Sequence, residues 1–561
     1  MKFNQIDPNK DVSYHFINRK LKKNGGYVHS RLYVMNIFIA LTCIFICSVI
    51  VNLLLHNIKL PSFTYGLYKR EKTQVNKVRR DITDRHGIKI VMSIPSLNLC
   101  ANSRKIKNPE EIAKKLIKIF PELSYSELVK IFKNKKSFTY IKRQIPIRLK
   151  NLINKIEDEG IFLENTYERV YPHDELFAHV IGNVDIDNNG ISGVERGLND
   201  IILKDTSKPV VLSLDTQLQE IIRNSLLDGL VKYGAKSAAA ILMNVHTGEI
   251  LSLVSLPDYN LKHSTIFLKD SRYNNHITFD VYEHGSVFKV FTSALAIDNG
   301  FTDVDPIPVY DVGTPFKIGN RTIREEFIFQ KYVKFSDILI KSSNIASAKV
   351  GLELGADKQQ RFYKKLGFFD YMRNIEVPEI GRPIYKTSDK WDSEAVATVA
   401  YGYGLAVTPL HTIVAFNTVV NNGILLYPTL MKINAKNINP ERNFLKNNDR
   451  LVSLSTSKLL RKWLRETVTK NNKRYVDSGG IKIGGKTGTS EKLIDGVYKN
   501  DLLRTFFIIA FPIDNPKYSM LVLLDEPTKN ENGIMCRLSG CNVVPLTKEI
   551  LKKLAVYLVL D

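Results

Sequence analysis

At 561 residues the chain is long enough for two to four domains, and 44% hydrophobic content with 27 Phe and 25 Tyr can build buried cores. This excludes a single small module, wholesale disorder and low-complexity architecture. A formal charge of +23 suits nucleic acid, an anionic membrane surface or an acidic polymer alike, so its distribution has to choose among them.

Five cysteines exclude a disulfide-dense secreted scaffold. Only Cys536 and Cys541 are close enough in sequence to suggest a bridge, and a loop disulfide or two free thiols are equally open.

In chain order, the first feature is Leu32 to Leu55, 24 residues without a charged side chain. That length exceeds the roughly 20 residues that cross a bilayer core and predicts a transmembrane helix. No small-x-small cleavage site follows Leu53-Leu54-Leu55-His56, so the segment reads as an uncleaved signal anchor. Arg19, Lys20, Lys22, Lys23 and Arg31 precede it, against Lys59, Lys69 and Arg70 after it. The bias predicts that residues 1–31 form a cytoplasmic tail and that the rest lies outside the cytoplasm, which argues against nucleic acid as a partner. Residues 131–150 carry seven Lys and Arg and no acid, but no zinc-finger, RNP or basic-heptad pattern accompanies them. They read as a solvated basic face.

From 56 to 205, short apolar runs alternate with Lys-rich helical stretches, Pro109 to Phe120 and Leu123 to Phe132, and no catalytic cluster is visible. After a linker, Thr206-Ser207-Lys208-Pro209, the texture changes. Val210 to Leu214 is strand-like, Asp215 can cap a helix, and Leu218, Ile221, Ile222, Leu226 and Leu230 recur at helical spacing until Gly234. Ala238 to Val245 and Glu249 to Val254 flank His246-Thr247-Gly248 as a hairpin. Thr505 to Ile513 and Tyr518 to Leu524 predict two more strands, and Thr547 to Leu560 a final helix. The expected fold is α+β and multidomain. A transmembrane anchor (32–55) is followed by an elongated pedestal (56–205) and by a domain (206–561) in which helices bracket an antiparallel sheet.

Gly285-Ser286-Val287-Phe288-Lys289 precedes an apolar helical run ending at Asn299-Gly300, which puts Ser286 at a helix N-terminus and Lys289 one turn later on the same face. A neutral lysine there can take the serine's proton, and helix amides favour negative charge on the reacting oxygen. The spacing alone is not specific, because Ser455 and Lys458 repeat it. What distinguishes Ser286 is the downstream order. Ser342-Ser343-Asn344 follows by 56 residues, and Lys486-Thr487-Gly488-Thr489 lies 144 beyond Ser342. Ile481 to Ser490 reads as a strand whose Gly484, Gly485 and Gly488 let another backbone approach closely, and along which a peptide could pair.

Ser-x-x-Lys, Ser-x-Asn and Lys-Thr-Gly in this order resemble the signature of penicillin-binding proteins and serine β-lactamases. Over the exported length the chain resembles the class B penicillin-binding proteins. Arg80 to Gly87 is similar to the family's motif at the start of its non-catalytic pedestal, with Asp81 and His86 as departures. Arg169-Val170-Tyr171-Pro172 and Gly193-Val194-Glu195 resemble later pedestal landmarks. Tyr282-Glu283-His284-Gly285-Ser286, Ala400-Tyr401-Gly402-Tyr403-Gly404 and Val407-Thr408-Pro409-Leu410-His411 look most like the division-specific, FtsI-like members, with His284 and His411 as departures. The elongation transpeptidases are the alternative subtype. A membrane-bound β-lactamase, a β-lactam sensor and an inactive scaffold are the alternative functions.

The resemblance implies acyl transfer on peptidoglycan stem peptides ending in D-Ala-D-Ala. Ser286 would be the nucleophile, Lys289 its base, and the amides of Ser286 and Thr489 the oxyanion hole. Ser342 would relay a proton to the departing D-Ala, Asn344 would hold the donor's amide, and Lys486, Thr487 and Thr489 would receive its carboxylate. It further implies β-lactams as inhibitors and a SEDS-type glycosyltransferase and other divisome proteins as partners. No metal or cofactor is expected, since His-Glu-x-x-His and zinc-ligand spacings are missing. The Glu-x-x-Leu-Asn loop of class A β-lactamases is missing between Asn344 and Lys486, where Glu376, Glu379, Asp389, Asp392 and Glu394 read as solvated loop charges.

Overall fold

Two five-stranded sheets organise the described chain. The computed structural model describes residues 78–204, 208–262, 271–303, 309–326, 330–387, 391–433, 450–471, 477 and 480–558, with Leu41, Thr42 and Ser48. The anticipated span Leu32 to Leu55 lies outside the described residues except for those last three, which are helical. Among the described residues no helix is long and apolar enough to cross a membrane.

The first sheet is built on a long strand, β2 (Lys89–Ala101), which pairs with β1 (Ile82–Thr83) near its start, β3 (Thr139–Ile145) near its end and β4 (Ile161–Val170) along most of its length, all antiparallel. Helices α1 (Pro109–Ile119) and α2 (Tyr125–Lys133) cover it through Ile112, Leu116, Leu128 and Phe132. Helix α2 begins two residues later than its periodicity predicts because Ser124 caps it, its hydroxyl accepting the Glu127 N–H.

The pedestal landmarks, far apart in sequence, meet in one buried cluster. Glu195 receives Arg169 Nε at 2.6 Å and Arg79 Nη2 at 2.5 Å, and both guanidiniums are almost fully enclosed. A buried carboxylate shared by two arginines satisfies charges that would otherwise be costly to bury. The arginine that takes part is Arg79, one residue ahead of the stretch matched from sequence, whereas Arg80 stays half-buried and bonds backbone carbonyls. Of the two departures, Asp81 accepts the Ser93 N–H and His86 Nε2 stands 2.9 Å from Asp215. Both serve the fold.

Strand β1 also pairs in parallel with β5 (Val210–Val211), which leads into helix α3 (Thr216–Tyr233). Asp215 caps α3 by accepting the Gln217 and Leu218 N–H groups, and Gly234 ends it in the left-handed region at φ 58°. The second sheet has the order β8 (Gly484–Ile494), β9 (Val497–Phe511), β10 (Tyr518–Asp525), β6 (Ser237–Asn244), β7 (Ile250–Leu256), antiparallel throughout. Alternation along β9 divides the core. Phe507, Ile509 and Phe511 face α3 and the last helix, α8 (Val543–Leu554), while Phe506, Ile508 and Ala510 face the catalytic helices.

Two boundaries differ from expectation for local reasons. Helix α8 starts at Val543, four residues before the predicted Thr547, because Pro545 sits within the first turn, where its missing N–H costs no helical bond. Strands β8 and β9 run on past Ser490 and before Thr505 to a two-residue hairpin turn, where Asp495 (φ 51°) and Gly496 (φ 77°) both adopt positive φ.

Candidate active site

Helix α4 (Lys289–Asp298) is buried nearly all round. Val290, Phe291, Ala294 and Ala296 have no exposed surface, so its first residue, Lys289, is carried into the interior with it. A 3-10 turn, Gly285–Phe288, precedes it and holds Ser286. This turn lies against β8 more closely than side chains allow. A Cβ on Gly285 would stand 2.4 Å from the Thr489 carbonyl oxygen, and one on Gly488 2.3 Å from that of His284. Close backbone approach is therefore what the glycine at 488 provides, as its strand context suggests.

From the other side comes Ser342, held at φ +66° in the left-handed region, just ahead of α5 (Asn344–Leu354). Lys289 Nζ lies 3.0 Å from Ser286 Oγ, 2.6 Å from the Ser342 carbonyl oxygen, 3.1 Å from Ser342 Oγ and 2.7 Å from Asn344 Oδ1. Lys486 Nζ reaches the same Ser342 hydroxyl at 3.0 Å and the Thr487 carbonyl at 3.1 Å. Ser286, Lys289, Ser342, Asn344 and Lys486 thus form one hydrogen-bonded cluster, and Thr487, Gly488 and Thr489 continue from it along β8. The repeated pair, Ser455 and Lys458, sits exposed near the start of α7 (Leu454–Asn471), where Ser455 Oγ bonds the neighbouring Ser453 hydroxyl.

Burial, reinforced by the nearby Lys486 charge, holds the Lys289 amine well below the ordinary lysine value. Lys486 is itself lowered, to about 8, by burial, against the opposing pull of Glu326. Donor counting then fixes what Lys289 can do. Asn344 Nδ2 donates to the Arg324 carbonyl at 3.2 Å, which identifies the end facing Lys289 as the amide oxygen. That oxygen and the Ser342 carbonyl can only accept, so they take the two N–H bonds of a neutral amine. The lone pair remains for the Ser286 proton. Chemically, the arrangement can serve as a serine nucleophile with an adjacent amine base. Among the described residues no cluster of His, Cys, Asp and Glu could hold a metal.

Three contributors escape sequence reasoning. Glu325 caps α5: Oε1 accepts the Ser343 hydroxyl at 2.5 Å and the Ile345 N–H at 3.0 Å, and Oε2 accepts the Asn344 N–H at 2.8 Å. It lies 17 residues before Ser342 with no periodic link to it. Cys536 and Cys541 are bridged, and within their loop Ser539 Oγ donates to the Gly488 carbonyl and stands 2.8 Å from Thr489 Oγ1. Glu283 accepts the Gly404 N–H at 2.6 Å and the Tyr498 hydroxyl at 2.9 Å.

The acids expected as solvated loop charges are mostly engaged. Glu376 accepts the Thr429 hydroxyl and the Leu430 N–H, both at 2.7 Å, and Glu379 accepts the Gly193 N–H at 3.1 Å. Asp392 caps α6 (Ser393–Val399), and Glu394 accepts the Asn320 N–H at 2.6 Å. Backbone amides left over where segments cross need such acceptors. Asp389 lies outside the described residues. His284 and His411 are enclosed and kept neutral, burial lowering them to about 3 and about 4. His411 is held between the Thr408 hydroxyl and the Asp370 carbonyl.

The penicillin binding protein transpeptidase domain matches residues 238–537, and the penicillin-binding protein dimerisation domain residues 75–200. The chain is 29% identical to a protein of Caulobacter vibrioides named probable peptidoglycan D,D-transpeptidase FtsI, over 86% of this chain and 82% of that one. It is 25% identical to the peptidoglycan D,D-transpeptidase FtsI of Buchnera aphidicola, over 97% and 98%. Its fold matches the crystal structure of penicillin binding protein 3 from Mycobacterium tuberculosis, complexed with aztreonam, with a TM-score of 0.63 at 19% identity, covering 85% of this chain and 96% of that one. The transpeptidase match alone spans more than half of the sequence, and with the dimerisation domain ahead of it the chain belongs to the class B penicillin-binding proteins, in their FtsI-like branch.

Proposed function

We propose that the protein is a septal peptidoglycan D,D-transpeptidase that cross-links stem peptides through an acyl-enzyme on Ser286 and is inhibited covalently by β-lactams. The observation that carries this reading is the buried Lys289 amine 3.0 Å from Ser286 Oγ, with the Ser342 carbonyl and Asn344 Oδ1 placed to accept its N–H bonds. Ser286 attacks the carbonyl of the penultimate D-Ala as Lys289 takes its proton. The amides of Ser286 and Thr489 receive the oxyanion, a kind of donor that contributes about 10²- to 10³-fold in rate. The Ser342 hydroxyl, about 3 Å from both lysines, passes a proton to the departing D-Ala nitrogen. Asn344 steadies Lys289 and the donor's amide, and the substrate carboxylate docks at Lys486, Thr487 and Thr489. An amine of a neighbouring strand then takes the acyl group.

The finer assignments belong to the same reading. Residues 1–31 are a cytoplasmic tail, Leu32 to Leu55 a single-pass anchor in the cell membrane, 56–205 the non-catalytic pedestal and 206–561 the transpeptidase domain outside the cytoplasm. A SEDS-type glycosyltransferase supplies the glycan. A phosphatase fused to the C-terminus should be active in cells, and an inactive phosphatase with an active β-galactosidase fusion would overturn that topology.

The test of the chemistry is a fluorescent penicillin. It should label the protein covalently at Ser286, located by peptide mass spectrometry, and not label Ser286→Ala. Undiminished label in that variant, or label on Ser455, sinks the assignment.

A further inference from the structure

The reaction needs two substrates, and the cluster around Lys289 and Lys486 accounts for one. The donor ends in a carboxylate and meets cations. The acceptor brings a primary amine, which arrives as an ammonium and must lose a proton before its nitrogen can attack. It calls for an acid and aromatic faces close to Ser286.

Such a group lies three residues ahead of the nucleophile. The segment Tyr401–Gly404 runs along the nucleophile turn: the Gly285 N–H donates to the Gly402 carbonyl at 3.2 Å, and a Cβ on Gly402 would collide with the Gly285 carbonyl oxygen at 1.9 Å. From this segment the Gly404 N–H reaches Glu283, and from the β8–β9 hairpin the Tyr498 hydroxyl does so. Both bonds land on Oε1, which leaves Oε2 without a protein partner among the described residues. Tyr403 bridges the aromatic side, its ring 5.7 Å from those of Tyr401 and Tyr498. Glu283 and Tyr403 are only partly buried, as is Ser286. Glu326 acts electrostatically on Tyr403, Lys289 and Lys486 alike.

We propose that Glu283, framed by Tyr401, Tyr403 and Tyr498, is the subsite for the acceptor's ammonium group and the base that deprotonates it. The assignment rests on the transpeptidase reading and names the second substrate of that site. In the step, the ammonium gives one proton to Glu283 Oε2, and the freed amine attacks the acyl carbon of the Ser286 ester. The C–N bond forms as the C–Oγ bond breaks, and the nitrogen's second proton returns to Ser286 Oγ through Lys289. The products are the amide cross-link and the free serine, and Glu283 releases its proton to water.

Two arginines face this carboxylate, Arg321 and Arg504. Arg504 is paired with Asp525 at 3.1 Å and Arg321 with Glu394 at 4.0 Å, so neither cation is left uncompensated to repel an ammonium. Burial nevertheless dominates and pushes Glu283 above the usual glutamate value, opposed by the Gly404 and Tyr498 bonds. A carboxylate shifted upward is a better proton acceptor near neutrality. The base is lost as pH falls through that raised value, so amine transfer fails at a higher pH than an ordinary glutamate would allow.

The experiment measures partition. The full-length protein in detergent is given a D-alanyl thioester donor, with glycine or D-alanine as the acceptor amine, and the aminolysis and hydrolysis products are counted. The ratio describes only acyl-enzymes that have formed, so a partly unfolded variant does not distort it. Glu283→Gln should lower the ratio by about 10²-fold, the low end for loss of a general base, with Glu283→Asp recovering part of it. Both ratios fall on acidification as the acceptor amine itself is protonated, and the wild-type ratio should fall more steeply than the Gln ratio, because it also loses the Glu283 base. An unchanged ratio, or hydrolysis falling as much as aminolysis, overturns the assignment while leaving the transpeptidase reading intact. A wild-type protein that forms no acyl-enzyme overturns both.

Discussion

The chain carries two Ser-x-x-Lys tetrads, both near the start of a helix, and only one of them is enclosed by partners that suit chemistry. At Ser286 and Lys289 the helix is enclosed, the lysine has no exposed surface, and its nitrogen meets four oxygens within 3.1 Å. At Ser455 and Lys458 the helix presents both side chains to water. The same spacing therefore sets only the distance between hydroxyl and amine. Reactivity comes from what encloses the pair. Burial removes the proton that would block the lysine, and a serine in the left-handed region with an asparagine beside it takes both remaining N–H bonds.

The largest expected effect breaks this contrast directly. Ser286→Ala should abolish acylation by penicillin, and Lys289→Ala should slow it by about 10²- to 10⁴-fold, the usual range for removing a general base. Ser455→Ala and Lys458→Ala should leave both acylation and stability within about 0.5 kcal/mol, as surface changes do. Stopped-flow labelling and urea denaturation of all four variants read the comparison.

The second expectation sharpens it through pH. Because Lys289 acts only when neutral, acylation should be complete above its lowered pKa and fall on acidification through it. The positive charge of Lys486 helps to hold that value down. Lys486→Ala therefore raises it and moves the acid limb of the pH–rate profile to higher pH. The variant also loses donor affinity, so the position of the limb is the readout rather than its height. A limb that stays in place would show that burial alone sets the lysine.

How far this was legible from sequence follows from the range of the interactions. Asp215 and Gly234 announced the ends of α3 because caps act within one turn, and the apolar run Thr505 to Ile513 announced the buried part of β9 but not which residue faces which side. The three catalytic motifs were legible as a set in order, although nothing local to any one of them separates Ser286 from Ser455. Glu325, Glu283 and Ser539 were not, since each acts on groups distant in sequence and leaves no period behind. The N-terminal pedestal motif was matched from Arg80 onward, and only the burial of Arg79 beside Glu195 shows which arginine turns inward. Glu376, Glu379 and Glu394, read as solvated, show the same gap, because sequence marks a charge but not the distant backbone amide that will need it, whereas Asp392 is exposed as expected.

Glu325 extends the comparison to the partner motif. Its carboxylate accepts three bonds at the start of α5, and a hydrogen bond to a charged group contributes about 1.5–3 kcal/mol net of exchange with water, with bonds that share one carboxylate not simply additive. Glu325→Ala should destabilise by about 2–4 kcal/mol in urea denaturation and slow acylation, because Asn344 and Ser342 lose their fixed positions against Lys289. Glu325→Gln should be no better. Its nitrogen would replace one of two oxygens that both face donors, and recovery by Gln would show that charge and the second acceptor are irrelevant there.

The smallest effect concerns the disulfide loop. The Gly488 carbonyl can only accept, so it takes the single proton of Ser539, and the 2.8 Å contact to Thr489 must then be a bond donated by Thr489. In the free enzyme the Thr489 hydroxyl is thus turned to the loop and not toward a substrate carboxylate. Ser539→Ala removes that competitor and lets Thr489 donate to the anion, a bond roughly twice as strong as the neutral one it replaces. It also strips a bond from Gly488, at a cost of about 1 kcal/mol of stability. Acylation by penicillin should therefore rise by a few-fold, about 1 kcal/mol in the barrier, while the urea midpoint falls. Slower acylation would mean instead that the loop's hold on β8 matters more than the proton it takes from Thr489.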